Sequence, residues 1–370
     1  MDADLLRRTT DRLVLAALLD AGQLTRAELA QRVGISRPTA SESVRRLADA
    51  GLVEEAGRQQ GARGRSGTYC RVVPGAGRAL VAHAGPGEVV AEVVDAAAGP
   101  DESPAADRVH RHPIGSTTTV AELTTALHTL LGEVEAAHGP LPVDRVLSVA
   151  DPVDSAHGRL VLLEGSPFVL DEGSLRDVIG DAGVLDNDVH WAALAERAAR
   201  ADAGDPVDNF LYVYLGAGLG AAVVDEGRLV TGRRGLGGEI AYVLTQGADG
   251  RATRLLDALC ELDVALPGTT SLDPVLLRER LVDEATRRRV GEAVGGALAS
   301  CVSLLDPGLV VLGGPWSDAP GLVDALTEAL DPLAPYPVRL ESAVVRRDAP
   351  FLGARARAVA LARERLLDAV

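Results

Sequence analysis

Residues 24–52 read LTRAELAQRVGISRPTASESVRRLADAGL, and no other stretch restricts its own conformation so tightly. Thr25 and Glu28 stand at capping-box spacing, so each satisfies an orphan amide at the start of a first helix that runs to Val33. Gly34 is placed to end that helix in the left-handed conformation, and Ser36 caps a second helix whose first turn holds Pro38, where no intrahelical bond is lost. Ala40, Val44 and Leu47 recur at spacings of four and three and form a core-facing stripe. That leaves Arg37, Ser41 and Arg45 on one exposed strip beside Thr39 and Ser43. An earlier helix around Leu13, Val14, Ala17 and Leu18 closes a three-helix core, and residues 52–55 and 68–73 read as two strands joined by GRQQGARGRSG.

Helices meeting across a tight turn, with arginines and hydroxyls facing outward, have the shape that enters the DNA major groove. The candidate contacts to double-stranded DNA are Arg37, Thr39, Ser41 and Arg45, with Arg26, Ser36 and Arg46 alongside. Arg58, Arg63 and Arg65 lie among glycines that let the backbone approach phosphates, so the connection at residues 57–67 reads as a wing. A solvated basic loop on a helical interaction module accounts for the helix pair alone, but not for helix pair, hairpin and arginine-rich wing together.

Charge divides in the same way. Residues 1–78 hold 13 Arg against 9 acidic residues, a balance of +4, while the 370-residue chain stands at −16 and leaves −20 to the remainder. An acidic body repels nucleic acid and confines DNA contact to the N-terminal module. All 37 basic residues are arginine, which excludes a Schiff-base lysine or the lysine of a Walker phosphate loop. Cys70, Cys260 and Cys301 are scattered, the start is charged, and no apolar run reaches the about 18 residues a membrane span needs. A cytoplasmic protein with no membrane role is expected.

From Ala79 onward strands and helices alternate, an α/β pattern. Strand-like runs fall at 89–94, 143–149, 209–215, 221–224 and 309–312, and helical periodicity at 118–138 and 294–305. Glycines at the strand ends, Gly216, Gly218, Gly220, Gly313 and Gly314, suggest a nucleotide or sugar cleft between two halves. The expected organisation is a DNA-binding domain over 1–73, a hinge at 74–78, a first lobe over 79–186 to which a helix at 354–370 returns, and a second lobe over 187–353.

Four stretches, LDNDVHWAALAE at 185–196, YVYLGAGLGAAVVDEGRLVTG at 212–232, GLGGEIAY at 235–242 and LLDPGLVVLGG at 304–314, give the body a specific likeness. With the winged helix in front, the chain resembles the ROK family of sugar-responsive repressors and sugar kinases. The resemblance implies a bilobal actin-like, ribonuclease-H-like sugar-kinase fold behind the winged helix-turn-helix. It also implies that Asn187 and Asp188 bind a sugar, Asp188 being the base in family kinases. By themselves these two residues read more readily as caps of a helix over 189–199. Glu239 is a sugar contact or a turn residue, and Tyr242 either meets the ligand or fills space.

Departures from the kinase pattern matter as much. The family's Asp-x-Gly-Gly-Thr phosphate loop aligns with His83 to Gly87, without its acid or its hydroxyl, and Ala217 replaces the threonine of Gly-Thr-Gly. His83 is taken as a structural replacement rather than a ligand, and His110 and His112 as loop composition. The family's zinc site needs a histidine where Tyr242 stands and three cysteines where only Cys260 follows. No zinc and no cofactor are expected. The expected function is a homodimeric, ROK-type regulator, by default a repressor, that senses a sugar without catalysis. An active hexose kinase that binds DNA, or a body that only oligomerises, is the alternative.

Overall fold

The computed structural model describes residues 3–58, 67–98, 104, 108–166, 168–266, 269 and 271–370. Helices Ala3–Ala21, Arg26–Val33 and Arg37–Asp49 form the N-terminal head. The capping box closes, with the Glu28 amide donating to Thr25 Oγ1 at 3.3 Å and the Thr25 amide to the Glu28 carboxylate at 2.7 Å. Gly34 stops the helix at φ 75°, and Ser36 Oγ accepts the Thr39 amide at 3.2 Å. Val44 and Leu47 join Leu15, Leu18 and Leu29 in one core. The head's antiparallel sheet runs in the order Gln23–Thr25, Thr68–Val72, Val53–Arg58. The short strand Gln23–Thr25 is an addition to the expected pair, since three residues leave no periodicity to read.

Two five-stranded sheets behind the head repeat one plan. In the first, Arg78–Gly85 and Glu88–Asp95 form a hairpin, His110–Pro113 adds antiparallel, and Arg145–Val149 and Val184–Asn187 add in parallel on the far side. In the second, Phe210–Leu215, Leu219–Asp225 and Arg228–Leu229 supply the antiparallel part, and Leu309–Gly313 and Arg339–Ser342 the parallel part. Central strands read as continuous apolar runs because both faces are covered. Helix Val120–His138 buries Leu123, Leu127 and Leu131 with Leu80 and Leu147 of the first sheet, and Glu284–Leu305 buries Val294 and Leu298 with Leu211 and Leu312 of the second.

The helix Asp188–Asp202 and the C-terminal helix Ala349–Asp368 pack tightly together. At Gly353 a Cβ would collide with the Trp191 carbonyl oxygen, so only glycine permits this approach. The C-terminal helix starts at Ala349, ahead of the expected residue 354, and binds the first sheet through a buried pair, Arg355 to Glu92 at 2.9 and 3.2 Å. Its far end holds the head. Arg363 donates to the carbonyls of Leu19 at 3.1 Å, Ala96 at 2.8 Å and Ala98 at 2.9 Å, and Arg12 pairs with Asp368 at 2.8 Å.

Candidate nucleic-acid interface and ligand cavity

On the head, Ser36, Arg37, Thr39, Ser41 and Arg45 are exposed on one helix and its cap. Arg45 is steered by Glu42 at 2.8 Å, an exposed pair that competing phosphates can displace. Arg26 is held by Glu55 at 3.2 Å, and Arg58 is exposed at the strand end leading into the expected wing. Arg63 and Arg65 lie outside the described residues. Two expectations need correction. Ser43 is fully buried and donates to Asp11, so it does not belong to the exposed strip. Arg46 turns towards the first helix and grips Asp11 through Nε at 2.9 Å and Nη2 at 2.6 Å, which makes it a brace between helices rather than a free contact.

Between the two sheets lies a cavity of about 380 Å³. Its floor is the start of the Asp188–Asp202 helix, where the backbone turns from strand to helix. Asn187 caps this helix, Oδ1 accepting the Val189 amide at 2.8 Å, while Nδ2 donates to the Asp151 carbonyl at 2.9 Å. One amide hydrogen is left for a ligand. Asp188 is 7% exposed and burial pushes its carboxyl up to about 7. Glu239 follows Gly238, whose φ of 103° and contact with the Ala221 carbonyl exclude any side chain there. Burial pushes Glu239 up to about 7 as well, against the opposing charge of His190.

His190 lies behind both carboxyls. Burial opposes its charge, but the hydrogen bond from Nδ1 to Asp186 at 2.7 Å, the Asp186 charge and the Gly237 carbonyl outweigh it and raise its pKa. Tyr242 forms part of the wall and donates its hydroxyl to the Glu164 carbonyl, while the Arg254 guanidinium lies 5.5 Å from its ring centre and pairs with the Glu164 carboxylate at 2.7 Å. This latch ties the segment between strands Arg145–Val149 and Val184–Asn187 to the second half of the body. At the opposite end His83 contacts Ser148 Oγ at 3.0 Å, and burial together with Arg111 drives its pKa down to about 4, so it is neutral. The Ala217 carbonyl accepts the Leu272 amide at 2.8 Å, which fixes the glycine loop. His110 pairs with His138 at 2.9 Å on the sheet edge.

The structure thus brings Asn187, Asp188, Glu239 and Tyr242 to one cavity. Sequence reasoning missed Asp151, Glu164, His190 and Arg254. Asp151 sits in a turn and shows its place at the cavity only through burial, and the Glu164–Arg254 pair spans too much sequence to be visible as a pattern.

A head of three helices and a small sheet, set before a duplicated actin-like α/β body with a cleft, defines the class of protein. Residues 7–54 match the winged helix-turn-helix DNA-binding family, and residues 172–255 match the ROK family. The chain joins a winged helix-turn-helix domain to a ROK domain. A ROK family transcriptional regulator, a homologue of the E. coli MLC protein, superposes with a TM-score of 0.67 at 19% identity, with 98% of both chains covered. The ROK hexokinase of Thermus thermophilus superposes at 0.56 with 23% identity, covering 78% of this chain and 99% of that one. The beta-glucoside kinase of Klebsiella pneumoniae is 30% identical over 40% of this chain and 54% of its own length. The curated relatives matched first are covered over 33% to 63% of their length. Among the described residues no helix is long and apolar enough to cross a membrane.

Proposed function

We propose that this chain is a DNA-binding transcriptional regulator, a repressor by default, whose ROK body binds a sugar-like effector and pairs two copies without phosphoryl transfer. The observation that carries this reading is the exposed strip of Arg37, Thr39, Ser41 and Arg45 on a head bolted to the cavity-bearing body through Arg363 and Asp368. One winged helix buries little surface on DNA, and pairing two on half-sites a helical turn or its multiple apart supplies the missing affinity. The head spans 1–73, the hinge 74–78 and the lobes 79–186 and 187–353 in this proposal, with work in the cytoplasm. The full-length fold match to a ROK regulator agrees with it.

Phosphoryl transfer needs anchors for a metal-bound triphosphate. A neutral His83 and an apolar Ala217 stand where an acid and a hydroxyl are required. An active sugar kinase is the second reading, favoured by Asp188 in the cavity and by the kinase relative. The decisive experiment is selection of genomic fragments by the purified full-length chain against random competitor at modest salt, with and without sugars. No preference under any condition overturns the regulator.

A further inference from the structure

The cavity is rich in carboxyl groups and short of cations, and one carboxyl keeps an oxygen without a hydrogen bond. Asp151 is 3% exposed. Its Oδ2 accepts the Val169 amide at 2.6 Å and the Ser166 hydroxyl lies close enough to act on the carboxyl, but its buried Oδ1 has no hydrogen bond of good geometry. An unsatisfied buried carboxyl oxygen is costly, and it persists where a ligand completes it. Asp188 and Glu239 line the same cavity and act on Asp151 through their charge.

The positive groups around this cluster are already committed. His190 is bound to Asp186, His83 is neutral, and Arg111 is tied to Glu88 at the rim with its side chain 51% exposed. Arg254 is cancelled by Glu164 and Asp257, and Asp348 adds a further acid to the lining. Among the described residues no group of His, Cys, Asp and Glu converges closely enough to hold a metal ion. The pocket volume suits a ligand of monosaccharide size.

We propose that the cavity takes a polyhydroxylated ligand bearing a primary amine, an unacetylated amino sugar, whose ammonium group is held by Asp151 facing Asp188 and Glu239. This deepens, and rests on, the reading of the cavity as an effector site. An ammonium brings three donors and one positive charge to oxygens that lack both. Acetylation removes the charge, and a phosphate adds an anion opposite carboxyls. Burial, with added repulsion at Asp151 and Asp188, holds Asp151 up to about 8 and Asp188 up to about 7, and burial alone holds Glu239 up to about 7, so an arriving cation expels protons from them.

Titration calorimetry on the full-length chain at pH 6.5, with glucosamine, mannosamine and galactosamine against their parent hexoses and N-acetyl derivatives, tests this. At least one amine should bind about tenfold or more tighter than its parent and its acetylated form, as expected for one charge-assisted contact. Runs in two buffers of different ionisation enthalpy should show proton release. Asp151→Asn should abolish the preference, and Glu239→Gln serves where circular dichroism shows that the first variant has not folded. Equal binding of every amine and its parent, no binding by any amine, or proton uptake overturns the proposal. A chain that selects a genomic fragment but shows no amine preference refutes this inference and leaves the regulator standing. One that prefers the amine yet selects no DNA supports it and refutes the regulator.

Discussion

Arg46 separates two accounts of the head, because it lies on the helix proposed to face DNA while its own contacts are structural. It braces the helix to Asp11, which is 7% exposed and also accepts the hydroxyl hydrogen of the fully buried Ser43. Removing the guanidinium deletes a charge-assisted pair worth about 1.5–3 kcal/mol and strands a nearly buried carboxylate. With the Arg46 side chain 35% exposed, solvent returns part of that, and about 2 kcal/mol is expected for Arg46→Ala. Asp11→Ala should cost about 3 kcal/mol, since it strands Ser43 as well. A double-mutant cycle by urea unfolding, followed by circular dichroism, should give a coupling of about 1.5 kcal/mol. Arg37→Ala and Arg45→Ala should instead leave stability within about 0.5 kcal/mol and weaken specific DNA binding by about 1–3 kcal/mol, read by fluorescence anisotropy. If Arg46→Ala left the urea midpoint unchanged while abolishing DNA binding, the brace would be wrong and Arg46 would belong to the DNA surface.

Neutralising Arg63 or Arg65 should weaken binding to all sequences alike and lower the slope of log affinity against log salt by about one unit each. A coupled assay with hexoses and Mg-ATP should show no turnover, and turnover abolished by Asp188→Asn would establish the kinase reading. Stability of the ligand-free chain should fall with rising pH. A carboxyl raised by burial favours folding while protonated, and that contribution is lost from the ordinary carboxylate range up to about 8 for Asp151. Thermal melts between pH 5 and 8 should therefore slope downward, and Asp151→Asn should make the slope shallower while Asp188 and Glu239 keep part of it, whereas an unchanged slope would place the titrating groups elsewhere.

The parts legible in the sequence were those fixed by neighbours in the chain. Thr25, Glu28, Gly34 and Ser36 mark helix ends through bonds spanning at most a turn, and Ala40, Val44 and Leu47 declare their face by period alone. Ser43 lies on that same stripe, between Ala40 and Leu47, yet its polarity placed it outside. Its partner Asp11 is 32 residues away, and nothing local announces it. The cavity divides along the same line. Asn187 and Asp188 stand out through a helix start and a family likeness, and Glu239 through the glycines before it. Asp151 looks like an ordinary turn acid until Val169 and the cavity wall close over it. Pairing order between the sheets, likewise, depends on contacts between strands far apart in the chain.

The C-terminal helix makes the two halves of this reading depend on each other. Pro350 and Phe351 line the cavity, Gly353 is wedged on Trp191 of the helix that starts at Asp188, and Arg363 holds the head by the Leu19 carbonyl. From Phe351 to Arg363 the helix rises about 18 Å at 1.5 Å per residue. Gly353, Ala354, Ala358 and Ala362, which have no rotamers to absorb a shift, form part of its buried face beside Phe351, Arg355, Val359 and Leu366. Close-packed interfaces of this kind move as units rather than yielding gradually. A ligand that displaces the Asp188 helix therefore displaces the rod against it, and the head with the rod. The effect on DNA affinity can be no larger than the difference in ligand affinity between the two arrangements, and DNA must alter ligand affinity by the same factor.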